Sequence, residues 1–155
     1  MPNLNQSQVD VLSTDLWGVR TDRATAALPA STHAPIFTIT GGRVIVNMIL
    51  GKVTTIIQTQ TCNTKVTSYP TTGTNVDLCT VTDITALEVG GMLAVPAVAS
   101  TALTKANAGA IICPAGAFVV PIGALHLDCG ATNTGSIQWS CWWTPFDDGA
   151  LLVAA

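Results

Sequence analysis

The stretch Pro35–Ile57, PIFTITGGRVIVNMILGKVTTII, decides the fold class. It contains three runs rich in β-branched and apolar residues, separated by Gly41-Gly42 and by Gly51. Successive side chains of a strand point to opposite faces, so the alternation within these runs indicates a sheet with one buried face. A Gly-Gly pair tolerates the tight turns that join hairpin strands. The stretch therefore predicts three consecutive paired strands, a β-meander.

The middle run, Val44–Leu50, is apolar on both of its faces. One face carries Val44, Val46, Met48 and Leu50, and the other carries Ile45, Asn47 and Ile49. Strands of this kind lie at the centre of a sheet or beneath a covering partner. We therefore expect Ile45 and Ile49 to contribute to an interface.

Short strand-like runs continue after this stretch, with Gly and Pro at the corners between them. They are Val76–Leu87, Met92–Val98, Ile111–Cys113, Ala117–Val120, Ile122–Cys129 and Ser136–Thr144. Many short strands at regular spacing are typical of a sandwich or a barrel. We predict an all-β chain with a single jelly-roll-like β-sandwich. A β-tulip or a small β-barrel is the alternative.

Residues 1–34 differ from the rest because they are polar and show no strand alternation. Their apolar residues are irregularly spaced: Leu4, Val9, Leu12, Leu16 and Trp17. We predict an extended N-terminal arm over residues 1–34 that contacts a partner through these side chains, and a sandwich body over residues 35–155. The alternative is an N-terminal strand that belongs to the body.

Charge is scarce in this chain. Only 10% of the residues are Asp, Glu, Lys or Arg, against about 25% in average globular proteins. A lone soluble protein relies on a charged surface, so this composition favours an assembly in which much of the surface is covered. A monomer coated with Thr, Ser, Asn and Gly is the alternative. The net charge of −3 and the scattered cations argue against a nucleic-acid partner.

Neither a secretory signal nor a membrane span is expected. The first ten residues, MPNLNQSQVD, have no basic segment followed by an apolar one. The stretch Ala106–Leu127 has no Asp, Glu, Lys or Arg, but Gly and Pro residues divide it into short pieces. Such pieces are typical of strands joined by turns rather than of a spanning helix.

The cysteines do not form a metal motif. They are widely spaced, without a Cys-x-x-Cys pair: Cys62, Cys79, Cys113, Cys129 and Cys141. Zinc sites usually combine close cysteine pairs with histidines, and the histidines here stand apart. We expect reduced, buried thiols, with one or two disulfides as the alternative.

Groups for catalysis are equally sparse. The carboxylate pair Asp147-Asp148 precedes Gly149 and reads as a turn, and His126 and Asp128 should share one strand face without a serine in a nucleophile elbow. We therefore predict no enzyme activity, no cofactor and no metal site, and we expect His126 to be hydrogen-bonded at a strand surface. A hydrolase is the disfavoured rival.

The aromatic cluster near the C-terminus lies on a predicted strand. Trp139, Cys141 and Trp143 should share the core face, which leaves Trp142 on the opposite face. Large aromatics carry much of the binding energy of interfaces, so Trp142 and the nearby Phe146 are predicted interface residues. Stacking of a sugar on Trp142 stays open, although its sequence neighbours include few of the polar groups that such sites use.

Several segments together resemble a family of small virion proteins of tailed bacteriophages. These segments are PIFTITGG (35–42), GKVTTIIQ (51–58), NVDLC (75–79), VPIGALHLDC (120–129), ATNTGSIQW (131–139) and TPFDDGA (144–150). The resemblance implies a β-rich capsid decoration (cement) protein, usually trimeric, that is made in the host cytoplasm, binds the major capsid protein and stabilises the outside of the shell. It provides no catalytic residues. The alternative is a head-fibre or tail-associated adhesin module that binds a host glycan.

Overall fold

The computed structural model describes residues 7, 11, 17–96, 98–107, 109–113 and 116–155. The named elements of this part of the chain are all β-strands. They are β1 (Val19–Ala27), β2 (His33–Thr40), β3 (Val44–Thr55), β4 (Asn63–Pro70), β5 (Val76–Asp77), β6 (Thr82–Asp83), β7 (Met92–Ala94), β8 (Thr104–Ala106), β9 (Phe118–Val120), β10 (Gly123–Cys129), β11 (Ser136–Pro145) and β12 (Leu151–Ala154).

The strands form two antiparallel sheets that pack face to face. Sheet A has the order β1-β11-β3-β7-β8, with β9 also paired to β3. Sheet B has the order β12-β2-β10-β4-β5, with β6 also paired to β4. The sheets are not closed into a barrel, so the predicted all-β sandwich is confirmed.

The connections cross repeatedly from one sheet to the other. The strands β1, β3, β9 and β11 belong to sheet A, whereas β2, β4, β10 and β12 belong to sheet B. Late strands insert beside early ones, with β11 between β1 and β3 and β10 between β2 and β4. This is the jelly-roll-like order of a double-sheet sandwich. Pairing of strands that are distant in sequence therefore builds both sheets.

The predicted meander is wrong, because β2 and β3 lie in different sheets. The Gly41-Gly42 segment carries the chain across the sandwich, and Gly41 adopts a left-handed φ of 74°. Gly51 does not end a strand but lies within β3, where an added Cβ would stand 2.9 Å from the Trp139 ring. Gly51 thus makes room for a core indole, which local sequence patterns do not reveal.

A β-bulge in β3 changes which of its side chains face the core. Trp142 pairs with Met48 but Trp143 pairs with Val46, so Asn47 is the extra residue. Beyond the bulge the phase of the alternation shifts, and Ile49 is fully buried. The prediction that Ile49 lies at an interface is therefore wrong. A strict period of two places it beside Ile45 only because it ignores the inserted residue.

The second half of the predicted arm belongs to the sandwich. Residues Val19–Ala27 form β1, which pairs with β11 from Val19↔Trp143 to Ala27↔Ser136. Residue 33 already begins β2. The boundary at residue 35 therefore needs correction, and the alternative of an N-terminal body strand describes this segment. Most β1 side chains are exposed or half-buried, so the alternation that marks a strand is weak here.

The core lies between the sheets and contains the aromatic residues of β11. Trp139 and Cys141 are fully buried and Trp143 is nearly so, as the alternation predicts. Leu125 and Leu127 of β10 also point inward. Four cysteines, Cys62, Cys79, Cys129 and Cys141, are buried and free, whereas Cys113 is free but exposed. The expectation of a buried thiol is wrong for Cys113, because Ile111–Cys113 is a loop rather than the predicted strand.

Hydrogen bonds join the two sheets along both sides of the sandwich. On one side, Thr21 Oγ1 of β1 donates to the Leu152 carbonyl of β12 at 3.4 Å, and Arg23 Nε donates to the Ala155 carbonyl at 3.1 Å. On the other side, Thr82 Oγ1 of β6 donates to the Leu103 carbonyl at 2.6 Å. Thr80 and Ala102 form a bridge there. The edge strands β1, β12 and β6 are thus bonded to the opposite sheet or to the segment next to it.

The uncharged stretch 106–127 contains β9 and the first part of β10, so it is divided into short strands as predicted. Within the residues that the structure describes, no helix has the length and apolar character needed to cross a membrane.

Candidate interaction surfaces

The outer face of sheet A presents three rows of side chains that cross the strands. The first row is Arg20, Trp142 and Met48; the second is Asp22, Ser140 and Leu50; the third is Gln138, Lys52 and Met92. β1, β11, β3 and β7 each contribute to these rows. Residues as distant in sequence as Arg20 and Trp142 therefore share one surface.

A groove with a volume of about 250 Å³ runs over these rows. Its walls include the Trp142 indole, the apolar side chains of Leu50 and Met92, and the polar side chains of Lys52 and Gln138. Arg20, Gly51 and Ser140 complete the lining. The sequence neighbours of Trp142 include few polar groups, but the paired strands β1 and β3 place polar side chains near it. We call this site the Trp142 groove.

Asp22 organises the polar groups at one side of the Trp142 groove. Its Oδ1 accepts hydrogen bonds from Arg20 Nε at 2.8 Å and from Ser140 Oγ at 2.5 Å. Partial desolvation alone would raise the pKa of Asp22, but these two hydrogen bonds and the Arg20 charge hold the pKa below its usual value. Arg20 also lies 5.1 Å from the centre of the Trp142 ring, a cation–π contact. An ionised carboxylate and a guanidinium are thus held beside the indole.

The other side of the Trp142 groove has different electrostatics. Lys52 is exposed, and in the described part of the chain it forms neither an ion pair nor a side-chain hydrogen bond. Its direct neighbours across the strands are Gln138 and Met92. The charge of Arg20 is balanced by Asp22, whereas the charge of Lys52 is not balanced. The groove therefore carries a local positive charge at this side.

A second candidate surface is the end of the sandwich where the β2–β3, β9–β10 and β11–β12 connections meet. We call it the apolar end and define it by Ile45, Val119, Ile122 and Phe146. Val119 pairs with the half-buried Ile45 and is 50% exposed. Ile122 is 41% exposed and Phe146 is 51% exposed. Exposed apolar side chains grouped in this way mark interaction sites more often than single ones do.

An ion pair fixes the loops of the apolar end. Arg43 and Asp147 form two side-chain hydrogen bonds of 2.8 Å, and the Arg43 backbone N–H adds a third of 2.8 Å. These bonds hold the pKa of Asp147 at about 2. The Arg43 guanidinium also lies 4.5 Å from the centre of the Phe146 ring. The predicted Asp147-Asp148 turn is present, and its first carboxylate has a structural partner that the sequence did not indicate.

The structure brings together only part of the predicted interface set. Trp17 is 55% exposed, and its carbonyl accepts a hydrogen bond of 3.0 Å from Asn47, the bulge residue beside Trp142. Ile45 and Trp142 lie on the outer face of sheet A, and Phe146 lies at the apolar end. Ile49 lies in the core. The remaining predicted residues, Leu4, Val9, Leu12 and Leu16, lie outside the described residues.

A third cluster lies on the outer face of sheet B, where His33, Tyr69 and His126 meet. The two imidazoles share a hydrogen bond of 2.8 Å between their Nδ1 atoms. The Tyr69 ring stacks on both, with centroid distances of 4.7 Å to His33 and 4.2 Å to His126. His126 is therefore hydrogen-bonded at a strand surface, as the sequence predicts. The sequence did not indicate its partner His33, which the pairing of β2 with β10 brings next to it.

Burial and the neighbouring His33 lower the pKa of His126, with partial opposition from Asp128. Asp128 accepts a hydrogen bond of 2.7 Å from Thr67 through Oδ2, while its buried Oδ1 has no partner in the described structure. In the same described residues, no three His, Cys, Asp or Glu side chains are close enough to hold a metal ion. The cluster is thus a hydrogen-bonded and stacked group of three rings in which the pKa of His126 is lowered.

Fold and surfaces together define the class of protein: a jelly-roll-like β-sandwich with a mixed polar and aromatic groove on one sheet and an apolar end. Comparisons with protein-family models, with curated proteins and with solved structures give no match.

Proposed function

We propose that this protein is a structural component of a bacteriophage virion, a decoration protein that binds the major capsid protein on the outside of the head and stabilises the shell as a homotrimer. The observation that carries this proposal is the apolar end in a chain with only 10% charged residues. Such a surface is stable in water when a partner covers it. The resemblance of the strand and turn segments to small virion proteins supports the same function.

The geometry of the apolar end suits docking on a preassembled surface. Arg43 and Asp147 fix the backbone of the Phe146 loop, so binding requires little ordering of that loop. Residues 17–19 also enter the fold beside the Asn47 bulge, near this end. Trp17, one of the predicted contact residues, is therefore held beside this bulge. Repeated contacts in every copy of a trimer strengthen binding by multivalency.

A cosedimentation experiment tests the proposal. Purified protein is mixed with phage heads that lack it, and the bound fraction is measured after sedimentation. We expect saturable binding with three copies per site and a trimer mass by light scattering. We also expect depleted heads to release their genome at lower temperature or on chelation, and added protein to restore their resistance.

A matched pair of substitutions assigns the binding to the apolar end. Ile122→Ser removes an exposed apolar side chain from this end, and Val89→Ser does the same in a turn elsewhere, where Val89 is 64% exposed. Ile122→Ser should weaken binding to heads, whereas Val89→Ser should leave it unchanged. A stable monomer at high concentration, together with normal heat resistance of depleted heads, would refute the decoration function.

A further inference from the structure

Docking through the apolar end leaves the polar and charged side chains of the Trp142 groove without a role. About 20 Å of strand separates Ile45 from Lys52, so the part of the groove formed by Lys52, Gln138 and Met92 stays accessible when the apolar end is covered. We propose that the Trp142 groove binds a saccharide and that its ligand carries a carboxylate group, as uronic acids do. This inference goes beyond the decoration function, and it gives the alternative of a glycan-binding module a specific site.

The indole supplies the apolar half of such a site. A pyranose ring presents a face of C–H groups and a rim of hydroxyls, so sites for sugars combine an aromatic surface with polar side chains at its edge. Trp142 is half-buried on the outer face, and Arg20 and Met48 flank it in the same row. The cation–π contact with Arg20 restrains the indole. Leu50 and Met92 extend the apolar floor beyond it.

The polar side chains match the hydroxyl rim. Arg20 lines the groove and donates through a planar group. Asp22 lies outside the lining and orients Arg20 and Ser140 by accepting hydrogen bonds from both. The Ser140 hydroxyl donates its proton to Asp22 and can only accept from a ligand. The Gln138 amide can both donate and accept. Gln138 forms no side-chain hydrogen bond within the described residues, although it lines the groove. These groups therefore offer both donors and acceptors along one wall.

The charge distribution of the groove favours an acidic saccharide over a neutral one. Arg20 is already paired with Asp22 at 2.8 Å, so its charge is largely compensated. Lys52 has no anionic partner among the described residues, and the nearest cross-strand neighbours are neutral. A ligand carboxylate placed beside Lys52 and Gln138 would complete an ion pair and a hydrogen bond. A neutral sugar would leave that position unused.

The volume of about 250 Å³ lies below the range of about 300–1,000 Å³ for sites that enclose a drug-sized ligand. The groove therefore suits one or two sugar rings of a longer chain that continues into solvent. Affinity for a single short oligosaccharide should be modest, and several copies on one particle would strengthen attachment to a polysaccharide.

Calorimetry with the full chain tests the proposal without phage heads. The probes are trigalacturonate, the neutral maltotriose, and triglutamate, which carries carboxylates without sugar rings. We expect trigalacturonate to bind and to change tryptophan fluorescence. Maltotriose should bind at least about tenfold more weakly, as expected for the loss of one charge-assisted contact. Triglutamate should not bind.

Substitutions identify the groove as the site. Lys52→Gln should weaken trigalacturonate binding about tenfold, and Trp142→Leu should abolish it. Lys105→Gln is the matched control, because Lys105 of β8 pairs with the inward-facing Leu93 rather than with a groove residue. Lys52 is exposed, so its replacement leaves folding intact even where Trp142→Leu lowers stability. The proposal is overturned if trigalacturonate fails to bind, if triglutamate binds equally well, or if Lys52→Gln and Lys105→Gln bind alike.

Discussion

Replacing Gly41 by alanine tests the crossing between the two sheets. Gly41 has a φ of 74°, and an added Cβ would stand 2.1 Å from the Gly149 carbonyl oxygen. Both features belong to a tight approach between the β2–β3 and β11–β12 connections. The Gly149 turn can move little, because Asp147 is bonded to Arg43. We therefore expect a large loss of stability from a single methyl group.

Two effects add up to the expected loss in the free energy of unfolding. An L-residue in the left-handed region costs roughly 1–2 kcal/mol, and forcing an extra methyl into a packed site costs roughly 1–3 kcal/mol. Gly41→Ala should therefore lower the free energy of unfolding by about 2–5 kcal/mol. Gly90 is the matched control, since its φ is 88° but nothing lies within 4 Å of the position that an added methyl group would take. In Gly90→Ala only the backbone cost applies, so the free energy of unfolding should fall by about 1–2 kcal/mol.

Equilibrium unfolding in urea, followed by tryptophan fluorescence, measures both variants against the natural chain. The slope of the free energy with denaturant should stay unchanged, which shows that the same surface is exposed on unfolding. If Gly41→Ala loses no more stability than Gly90→Ala, the two connections do not approach each other as described. The same result would remove the basis for a rigid apolar end.

Three further predictions concern β1, the histidine pair and the thiols. A chain that begins at Gly18 should unfold cooperatively near the temperature of the full chain. One that begins at residue 35 should be strongly destabilised in a thermal melt, because it loses β1 and the hydrogen bond of 2.9 Å from Trp143 Nε1 to Thr21. The free energy of unfolding should fall as the pH drops below 6.5, the ordinary pKa of histidine, because the pKa of His126 is lowered in the folded state and the unfolded chain takes up the proton first. Urea melts between about pH 7.5 and 5 should show a smaller loss for His126→Gln, and an equal loss would contradict this cause. Iodoacetamide should modify Cys113 in the native protein and the four buried cysteines only after unfolding, as peptide mass spectrometry can show; rapid labelling of all five would contradict the burial.

Alternation within single strands predicted the fold class and much of the core. The faces of β11 and β10 follow from their own residues, because Trp139, Cys141 and Leu125 alternate with outward-facing polar residues. Strand partners could not be predicted in the same way. The Gly41-Gly42 segment looks like a hairpin turn, and only the packing of the sheets shows that it is a crossing. Ile49 was misplaced because the bulge at Asn47 leaves no mark in the hydrophobic pattern.

The candidate sites depended even more on distant pairing. Trp142 was predicted to face outward, but the sequence did not indicate that Arg20 of β1 and Lys52 of β3 line the same groove. His126 was predicted at a surface, while its partner His33 lies 93 positions away. A sequence identifies which side chain a strand presents on each face. It does not identify the neighbouring strand that supplies the rest of a site.

The hydrogen bonds that join the two sheets along their sides have a consequence for aggregation. An exposed strand edge is a template on which another chain can add a strand, and chains with few charges have little repulsion to oppose such growth. Here Thr21 bonds β1 to β12 and Arg23 bonds it to Ala155, which follows β12. Thr82 bonds β6 to the segment before β8. Strand addition at these edges would first have to break bonds between the sheets. At β1 and β6, the fold therefore raises the cost of sheet extension in a chain whose low charge does little to prevent it.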